Sequence, residues 1–320
     1  MERGYCITVE IHKSRGFPGC IMMSKEGTSW MKEHFVWVHQ FGTARVSVIS
    51  EATGCWPRDR AIDGVPENLW RSEVDVTADD CLEIGFNLMH VSLPGASILI
   101  DTGFGQYDPT DPSNPLVSVK NMQMSPGAAA GLARLGIHPE EITDVLITHM
   151  HGDHILGATM LVGGRRVPAY PNARYHVMEA EWAEAPAFHQ NAAAINAQKE
   201  ALQSAGVVEL AAGDRDIRPG VAFLFAPGES AGHAIVRIDT EVGVIYNVGD
   251  LFHYPAEFHH LDWRPRFRDQ RILQRTRETY LPRFVAEAAW IFPAHHRFPN
   301  VGKVEARVDG YRWLGIEPGA

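Results

Sequence analysis

Basic residues are in deficit in this sequence. It contains 29 Lys and Arg residues against 39 Asp and Glu residues, which gives a formal net charge of −10 at pH 7. A chain with this balance has no general attraction for a phosphate backbone or an anionic lipid surface. It also lacks any apolar run approaching the ~20 residues that a membrane-spanning helix needs. We therefore predict that neither nucleic acid nor a membrane is its partner.

Cysteine is scarce as well, with four residues in the chain. Cys6, Cys20, Cys55 and Cys81 show no Cys-x-x-Cys spacing, so neither a zinc knuckle nor a disulfide framework is indicated. The first residues lack the basic stretch and apolar core of a secretory signal. We expect reduced structural cysteines in a cytoplasmic protein. A secreted form whose signal has been removed is the alternative.

The sequence does contain enough apolar material for a large core. Hydrophobic residues make up 45% and charged residues 21% of its 320 residues, which is the balance of a globular protein. No low-complexity linker and no repeat of about 20 to 50 residues interrupts the chain. We predict one catalytic domain over residues 36–320. Residues 1–35 would be an arm that packs on a second copy in a homodimer, or an edge segment of the same domain.

Strand and helix patterns alternate along the chain. Apolar or β-branched runs bounded by turn residues predict strands at 7–11, 45–49, 82–91, 97–100, 144–148, 207–210, 221–225, 235–238, 242–247 and 290–292. Helical patterns occur at 127–135, 178–185, 191–204 and 269–288, and Pro282 should kink or split the last of them. This order predicts an α/β protein.

A dense group of metal-ligating side chains directly follows the strand predicted at 144–148. The run His149-Met150-His151-Gly152-Asp153-His154 places four such groups within six residues. Residues two apart in an extended chain point the same way, so His149 and His151 can face one metal. Gly152 lets the chain turn, so that Asp153 and His154 can reach a second metal. The spacing indicates a metal centre.

Further ligands follow other predicted strands. A site for two metals needs about seven protein ligands, including a carboxylate that bridges them. His233 follows the run 227–232, Asp250 follows the strand-like run 244–249, and His295 follows 291–294. Each residue stands just beyond a strand-like run, where ligands of one site are expected to meet.

These motifs together resemble those of the metallo-β-lactamase superfamily, over residues 98–299. The matching segments are Ile98 to Gly103, His149 to His154, Gly232-His233, Gly249-Asp250 and Ala294-His295. The resemblance implies a four-layer αβ/βα sandwich and a pair of Zn²⁺ ions, with Fe²⁺ or Mn²⁺ as alternatives. It implies that one metal is bound by His149, His151 and His233, the other by Asp153, His154 and His295, and both by Asp250. Asp101 would stand beside the site and orient a ligand loop.

The resemblance also guides the choice between His295 and His296. In the hydrolase branch the last ligand is followed by two residues and then Phe-Pro, which matches His295 and leaves His296 and Phe298 as pocket residues. The segment after Asp250 resembles methyl-parathion-hydrolase-like and lactonase-like members and is expected to line the substrate pocket, although its aromatic residues could equally belong to the core. The pocket candidates in this segment are Phe252, His253, Tyr254, His259 and Trp263.

The expected chemistry is hydrolysis of a small molecule. Two metals can share a water and lower its pKa toward about 7, which provides a bridging hydroxide as nucleophile. Asp153 and Asp250 would hold the metals. In the lactonase branch a Tyr beyond the bridging Asp donates to the substrate oxygen, and the resemblance implies that His253 or Tyr254 would take that role here. An ester, lactone or organophosphate is the expected substrate. The alternatives are an Fe²⁺-dependent persulfide dioxygenase, a glyoxalase II-like thioesterase, or a non-catalytic binding protein on a hydrolase fold.

Overall fold

The computed structural model describes residues 34–110, 119–184, 191–266 and 268–316. The strand predicted at 7–11, Cys6 and Cys20 lie outside the described residues, as does all but the end of the segment 1–35. The arm or edge role of that segment, and the homodimer, stay predictions. Within the described residues, no helix combines the length and the apolar character needed to cross a bilayer.

The first large sheet has eight strands. They are β1 (Val36–Phe41), β2 (Ala44–Pro57), β3 (Cys81–Leu93), β4 (Ala96–Ile100), β5 (Lys120–Met124), β6 (Asp144–Leu146), β9 (Arg174–Met178) and β10 (Val208–Ala211). Their order is β1-β2-β3-β4-β6-β9-β10, and β5 pairs with β2. The strands are antiparallel from β1 to β4 and parallel from β4 to β10. A separate hairpin is formed by β7 (Thr159–Val162) and β8 (Arg165–Pro168).

The second large sheet is formed by the rest of the chain. Its strands lie side by side in sequence order: β11 (Arg215–Arg218), β12 (Val221–Phe225), β13 (Ala234–Thr240), β14 (Gly243–Gly249), β15 (Trp290–Pro293), β16 (Gly302–Arg307) and β17 (Gly310–Gly315). Only the β14 and β15 pair is parallel among these described strands. The long helix of the molecule connects these two strands, as a parallel crossover requires.

The helices are mostly short. They are α1 (Arg58–Ala61), α2 (Glu67–Trp70), α3 (Gly127–Arg134), α4 (Gly152–Ile155), α5 (Glu179–Ala183), α6 (Ala192–Ala205) and α7 (Gln270–Ala286). Asp269 caps α7, since its side chain accepts from the backbone N–H groups of Arg271 and Ile272. The helix continues through Pro282 as one element, so of the predicted kink or split the split was wrong and the kink stays a prediction. Leu281 and Phe284 on either side of that proline pack into one buried cluster.

The molecule has four layers, because the two sheets pack face to face and helices cover the outer face of each sheet. Val46, Val91 and Phe223 belong to a buried cluster between the two sheets. The outer face of the first sheet packs on α3 and α6 through Leu132 and Leu202. The outer face of the second sheet packs on α7 through a cluster that contains Leu273, Ile291 and Phe284. The predicted αβ/βα sandwich is confirmed.

One pair of cysteines differs in oxidation state from the prediction made from the sequence. Cys55 near the end of β2 and Cys81 at the start of β3 form a disulfide. The expectation that they are reduced was wrong, because the pairing of these neighbouring strands brings their Cα atoms to 5.5 Å, within disulfide range. Reduced cysteines therefore no longer support the prediction of a cytoplasmic location.

Several strands lack a clear signal in the sequence. No pattern in the sequence predicted a strand at β1, β5, β7, β8, β9, β11, β16 or β17. Most of these are short or exposed strands, such as β11 with its sequence Arg-Asp-Ile-Arg, in which hydrogen bonds to a neighbouring strand outweigh a weak apolar pattern. The strands that lead to the histidines and aspartates were predicted to within a few residues.

Candidate metal centre

The polar residues that follow the strands meet at one edge of the sheets. The chain leaves β6 through the run 147–151 into α4, which carries Asp153 and His154. Asp250 directly follows β14 and His295 comes two residues after β15. Gly249 has a φ of +48°, and a Cβ there would lie 2.7 Å from the Nε2 atom of His233. A glycine is therefore required at the bend that delivers Asp250.

One end of the site is formed by Asp153, His154 and His295. The Oδ2 atom of Asp153 lies 3.4 Å from the Nε2 atom of His154 and 3.4 Å from that of His295. One ligand atom from each of the three lies within 4.8 Å of the others. His154 and His295 are buried, and Asp153 is partly accessible. This set has the size and chemistry of a site for one divalent metal.

Asp250 connects this end to the rest of the site. Its Oδ1 atom lies 3.3 Å from the Nε2 atom of His154, and its Oδ2 atom lies 3.0 Å from that of His295. The same Oδ2 atom is 3.4 Å from the Nε2 atom of His149 at the opposite end. A carboxylate with histidines on both sides can contribute an oxygen to either ligand group.

The opposite end brings together His149, His151 and a residue without a role in the sequence analysis. The Nε2 atom of His149 and the Nδ1 atom of His151 are 2.7 Å apart. The Oε1 atom of Glu229 lies 3.4 Å from that Nδ1 atom. These three residues and Asp250 form a second group whose ligand atoms lie within 4.8 Å of one another.

His233 lies beside this group but makes backbone contacts. Its ring centroid is 5.2 Å from that of His149. Its Nδ1 atom lies 2.9 Å from the carbonyl oxygen of Ala226, and its Nε2 atom accepts the backbone N–H of Asp250 at 3.1 Å. It belongs to none of the ligand groups found among the described residues. Six of the seven predicted ligands therefore converge, and His233 flanks them.

Two buried carboxylates hold the ligand segments from behind. Asp101 accepts from the backbone and the hydroxyl of Thr148, both at 2.8 Å, and its Oδ2 atom lies 2.8 Å from the Nδ1 atom of His154. Glu181 accepts from the backbone N–H of Met150 at 2.7 Å and from that of Gly232 at 3.0 Å. Asp101 can therefore orient His154, and Glu181 ties two ligand loops together.

The electrostatics keep the carboxylates charged. Burial alone would raise the pKa of Asp153, but His154 and His295 hold it at about 2. Asp250 behaves in the same way, since its histidine neighbours outweigh its burial and lower its pKa well below the usual range. Burial, reinforced by the charge of His154, lowers the pKa of His149. Burial would lower the pKa of His154, but Asp250, Asp153 and Asp101 raise it well above the usual value. The site thus presents ionised carboxylates, a neutral His149 and a positive charge on His154, and binding of a metal cation there would release that proton.

Several of these buried atoms lack the hydrogen bonds that burial normally demands. The Nε2 atom of His154, the Oδ1 atom of Asp250 and the Nε2 atom of His253 have no hydrogen-bond partner among the described residues. Buried polar atoms without partners are rare in native proteins. Both imidazole atoms lie beside the carboxylate of Asp250, so the residues present fit a bound divalent cation.

Among the pocket candidates in the segment after Asp250, His253 is the residue that lies against the ligand groups. Its Nε2 atom lies 3.4 Å from the Oδ2 atom of Asp250, and its ring stacks on that of His295 at 5.5 Å. Burial would lower the pKa of His253, but Glu229, Asp250 and Glu257 raise it to about 10. Trp56 packs against His253 with ring centroids 5.7 Å apart.

Tyr254 and Trp263 form a buried cluster next to this residue. They pack with Ala61, Trp70 and Leu82, and Trp56 contacts Tyr254 with ring centroids 6.4 Å apart. The hydroxyl of Tyr254 is buried without a hydrogen-bond partner in the part of the chain described. Of the two donors considered from the sequence, His253 is therefore the one beside Asp250.

Four predicted pocket residues point elsewhere. Phe252 is fully buried and stacks on Phe258 in the core below α7. His296 lies between Phe258 and Trp313, where burial lowers its pKa to about 3. Phe298 packs on the core between the sheets, and His259 lies against His260 near Gly310. These contacts of the four side chains thus lie away from Asp250, and their assignment to a substrate pocket stays a prediction.

Three residues at the site carried no usable signal in the sequence. Glu229 and Arg268 form a buried ion pair, with side chains 0% and 18% exposed. Trp56 comes from the end of β2 and reaches His253 only through the fold. Glu229 stands four residues before His233, so its position in a ligand loop was the one available indication.

Comparison with known proteins identifies the class to which this fold and site belong. The sequence profile of the metallo-beta-lactamase superfamily matches residues 90–295, and the chain belongs to that superfamily. Its curated relatives include an N-acyl homoserine lactonase of Bacillus cereus, 30% identical over 110 residues, which are 34% of this chain and 38% of that enzyme. The chain thus matches well under half the length of this relative.

Solved structures agree on the fold. The crystal structure of hydrolase AbOPH in the beta lactamase superfamily has a TM-score of 0.73 at 20% identity, over 89% of this chain and 98% of that one. The dizinc quorum-quenching lactonase AidC, solved with the product N-hexanoyl-L-homoserine, has a TM-score of 0.73 at 19% identity, with the same coverage. At these identities the likeness shows the shared architecture.

Proposed function

We propose that this protein is a dinuclear metal hydrolase, with Zn²⁺ as the first metal to test, that cleaves a lactone, another uncharged ester or an organophosphate. The observation that carries the proposal is the position of Asp250. Its two carboxylate oxygens face His154 and His295 on one side and His149 on the other. One carboxylate shared by two ligand groups is the arrangement that a pair of metals requires.

The residues of the site would have separate roles in metal binding and catalysis. Asp153, His154 and His295 would hold one metal, His149 and His151 the other, and Asp250 both. When bound, the metal pair would lower the pKa of a shared water toward about 7 and supply the nucleophile at neutral pH. His253 would donate from Nε2 to the substrate oxygen beside Asp250, and Trp56 would shield that side from water.

The charges around the site favour an uncharged substrate. Arg268 brings a guanidinium to the site, but Glu229 neutralises it at contact distance. That ion pair therefore offers no net positive charge to a substrate anion. The charge of His253 is matched by Glu229, Asp250 and Glu257, so an acyl or phosphoryl group without its own charge fits best. The lactonase among the relatives makes lactones the first class to assay.

A substrate panel on Zn²⁺-reconstituted protein tests this proposal. We expect turnover of a lactone, an aryl ester or an organophosphotriester and none of cephalosporins. His151→Ala and Asp250→Ala should abolish that turnover and lower the amount of bound metal. His39→Ala, an exposed histidine on β1, should keep both. A protein that holds two metals and hydrolyses nothing on the panel, or a His151→Ala variant with full activity, contradicts the proposal.

A further inference from the structure

Glu229 occupies a position that the predicted set of ligands does not explain. It lies in the loop between β12 and β13, with its side chain fully buried. The loop is fixed against α7 at Gly228, which has a φ of +131° and where a Cβ would lie 2.4 Å from the Cα atom of Leu273. Only glycine fits such a position. Glu229 therefore enters the site from a tightly constrained backbone.

The carboxylate of Glu229 faces the metal-ligating atoms directly. Its Oε1 atom is 3.4 Å from the Nδ1 atom of His151, and its Oε2 atom is 3.8 Å from the Nε2 atom of His253. It completes a group of four ligand atoms with His149, His151 and Asp250. A buried carboxylate among buried imidazoles is costly unless its charge is matched.

The nitrogen atoms of His233 are already engaged. One faces the carbonyl oxygen of Ala226 and the other accepts the backbone N–H of Asp250. The sequence motif assigned His233 as the third ligand of a metal held by His149 and His151. In the structure an oxygen atom of Glu229 faces that position in place of the imidazole of His233. Arg268 pairs with the same carboxylate, and a carboxylate can bind an arginine and a metal together because it offers about four acceptor positions.

We propose that Glu229 is a ligand of the metal at the His149 and His151 end. The inference rests on the dinuclear site proposed above. The metal there would then be bound by two imidazoles and two carboxylates, Glu229 and the shared Asp250, with Arg268 holding Glu229 in place. Oxygen ligands suit Mn²⁺ and Fe²⁺ better than a set of three imidazoles does, so this end should accept those ions readily.

The test is metal binding to the metal-free protein. Wild type, Glu229→Gln and Glu229→His are titrated with Co²⁺ and followed by calorimetry and by the visible absorption of the bound ion. Wild type should take up two equivalents. Glu229→Gln should bind one of them at least about tenfold more weakly, the loss that even an outer partner of a ligand can cause, and should change the absorption of that ion. Binding of the other equivalent should be unchanged.

The Glu229→His variant distinguishes two roles for Glu229, that of a metal ligand and that of an ion-pair partner of Arg268 alone. Both variants break the ion pair, but only histidine restores a metal-binding atom. We expect Glu229→His to regain two equivalents with a more nitrogen-like spectrum. Glu184→Gln is the matched control, since Glu184 accepts from the backbone of Ala231 in the same loop, and it should bind Co²⁺ as wild type does.

The outcomes are separate from those of the proposed function. Unchanged Co²⁺ affinity and absorption in Glu229→Gln, or equal weakening in Glu229→Gln and Glu229→His, overturns this inference whatever the hydrolysis assay gives. A wild type that binds two Co²⁺ ions in a site sensitive to Glu229, yet hydrolyses nothing on the panel, contradicts the proposed reaction and leaves the ligand assignment standing.

Discussion

Asp101 shows how a single buried residue can set the chemistry of a neighbour. It has a φ of +60°, a conformation that costs a residue other than glycine on the order of 1–3 kcal/mol. In that conformation its carboxylate reaches Thr148 and the Nδ1 atom of His154 at once. A proton held on Nδ1 leaves the Nε2 atom of His154 free to bind a metal.

Asp101→Asn should therefore weaken metal binding without removing a ligand. An amide has one acceptor oxygen where the carboxylate has two, so the tautomer of His154 is no longer fixed. We expect a loss of about 10 to 100-fold in affinity for one of two Zn²⁺ ions, measured by competition with a chromophoric chelator. Asp108→Asn, on an exposed turn with Thr110, should bind like wild type. Equal affinities in both variants would contradict this role.

Glu51 gives a prediction about pH. It is buried, and accepts from the backbone N–H groups of Phe104 and Ala128. Burial raises its pKa from 4.5 to about 7, although those two hydrogen bonds act against the shift. The folded protein therefore binds more protons than the unfolded chain between these values. The free energy of unfolding should fall as pH rises from about 4.5 to 7, by on the order of 3 kcal/mol for this group.

Glu51→Gln should remove that part of the pH dependence, because an amide stays neutral throughout. We expect the difference in unfolding free energy between pH 5 and pH 8, measured in urea, to shrink in this variant. Glu140→Gln, at an exposed turn, should keep the wild-type difference. A Glu51→Gln protein with the wild-type pH dependence would show that Glu51 is not the titrating group.

Glu181 matters at the scale of elements, because it joins a helix to two loops. It lies in α5 and accepts from the backbone of Met150 in one ligand loop and from Ser230 and Gly232 in the other. A Cβ at Gly232 would lie 2.1 Å from the backbone nitrogen of Glu181, so helix and loop are in direct contact. The distance between the two ligand loops is therefore set outside the site.

Glu181→Gln should loosen both loops together. Its NH₂ group must face a donor on one side or the other, which leaves a buried donor unpaired at a cost of about 1–3 kcal/mol. Urea unfolding should show that loss of stability, and calorimetry should show weaker Zn²⁺ binding in the same variant. Glu179→Gln, exposed on the same helix, is the control. Full metal affinity in a destabilised Glu181→Gln protein would show that the loops hold their spacing without it.

The disulfide acts on another pair of elements, the long strands β2 and β3. It closes a loop with a sequence separation of 26 residues. A cross-link over a loop of that length lowers the conformational entropy of the unfolded chain, which stabilises the folded protein by about 3 kcal/mol. Reduction should lower the urea midpoint of the wild type. It should have no effect on a Cys55→Ser, Cys81→Ser double variant. An identical response of both proteins would assign the effect to something other than this bond.

At the scale of the molecule, the sequence reveals those parts of the site that are contiguous. His149 to His154 are adjacent in the chain, and Asp250 and His295 follow apolar strands, so pattern and chemistry together locate them. Glu229, Arg268 and Trp56 meet the site only through loop geometry and tertiary packing. The strands that lead to the ligands were visible because they are buried, whereas exposed edge strands such as β11 and β17 carry little apolar signal.

The direction of each side chain near the ligands was also beyond the sequence. Phe252 and His253 are neighbours, yet one enters the core below α7 and the other faces Asp250. His295 and His296 divide in the same way. Composition marks such a segment as aromatic, but the packing of the sheets and helices decides which ring faces Asp250.

The central claim is that two metals, shared by Asp250, make this fold a hydrolase. The most direct measurement is the rate of hydrolysis of an N-acyl homoserine lactone by metal-free protein as Zn²⁺ is added stepwise. We predict no turnover without metal and a rate that rises until two equivalents are bound. Equal turnover by the metal-free protein, or a rate that is already maximal at one equivalent, would contradict it.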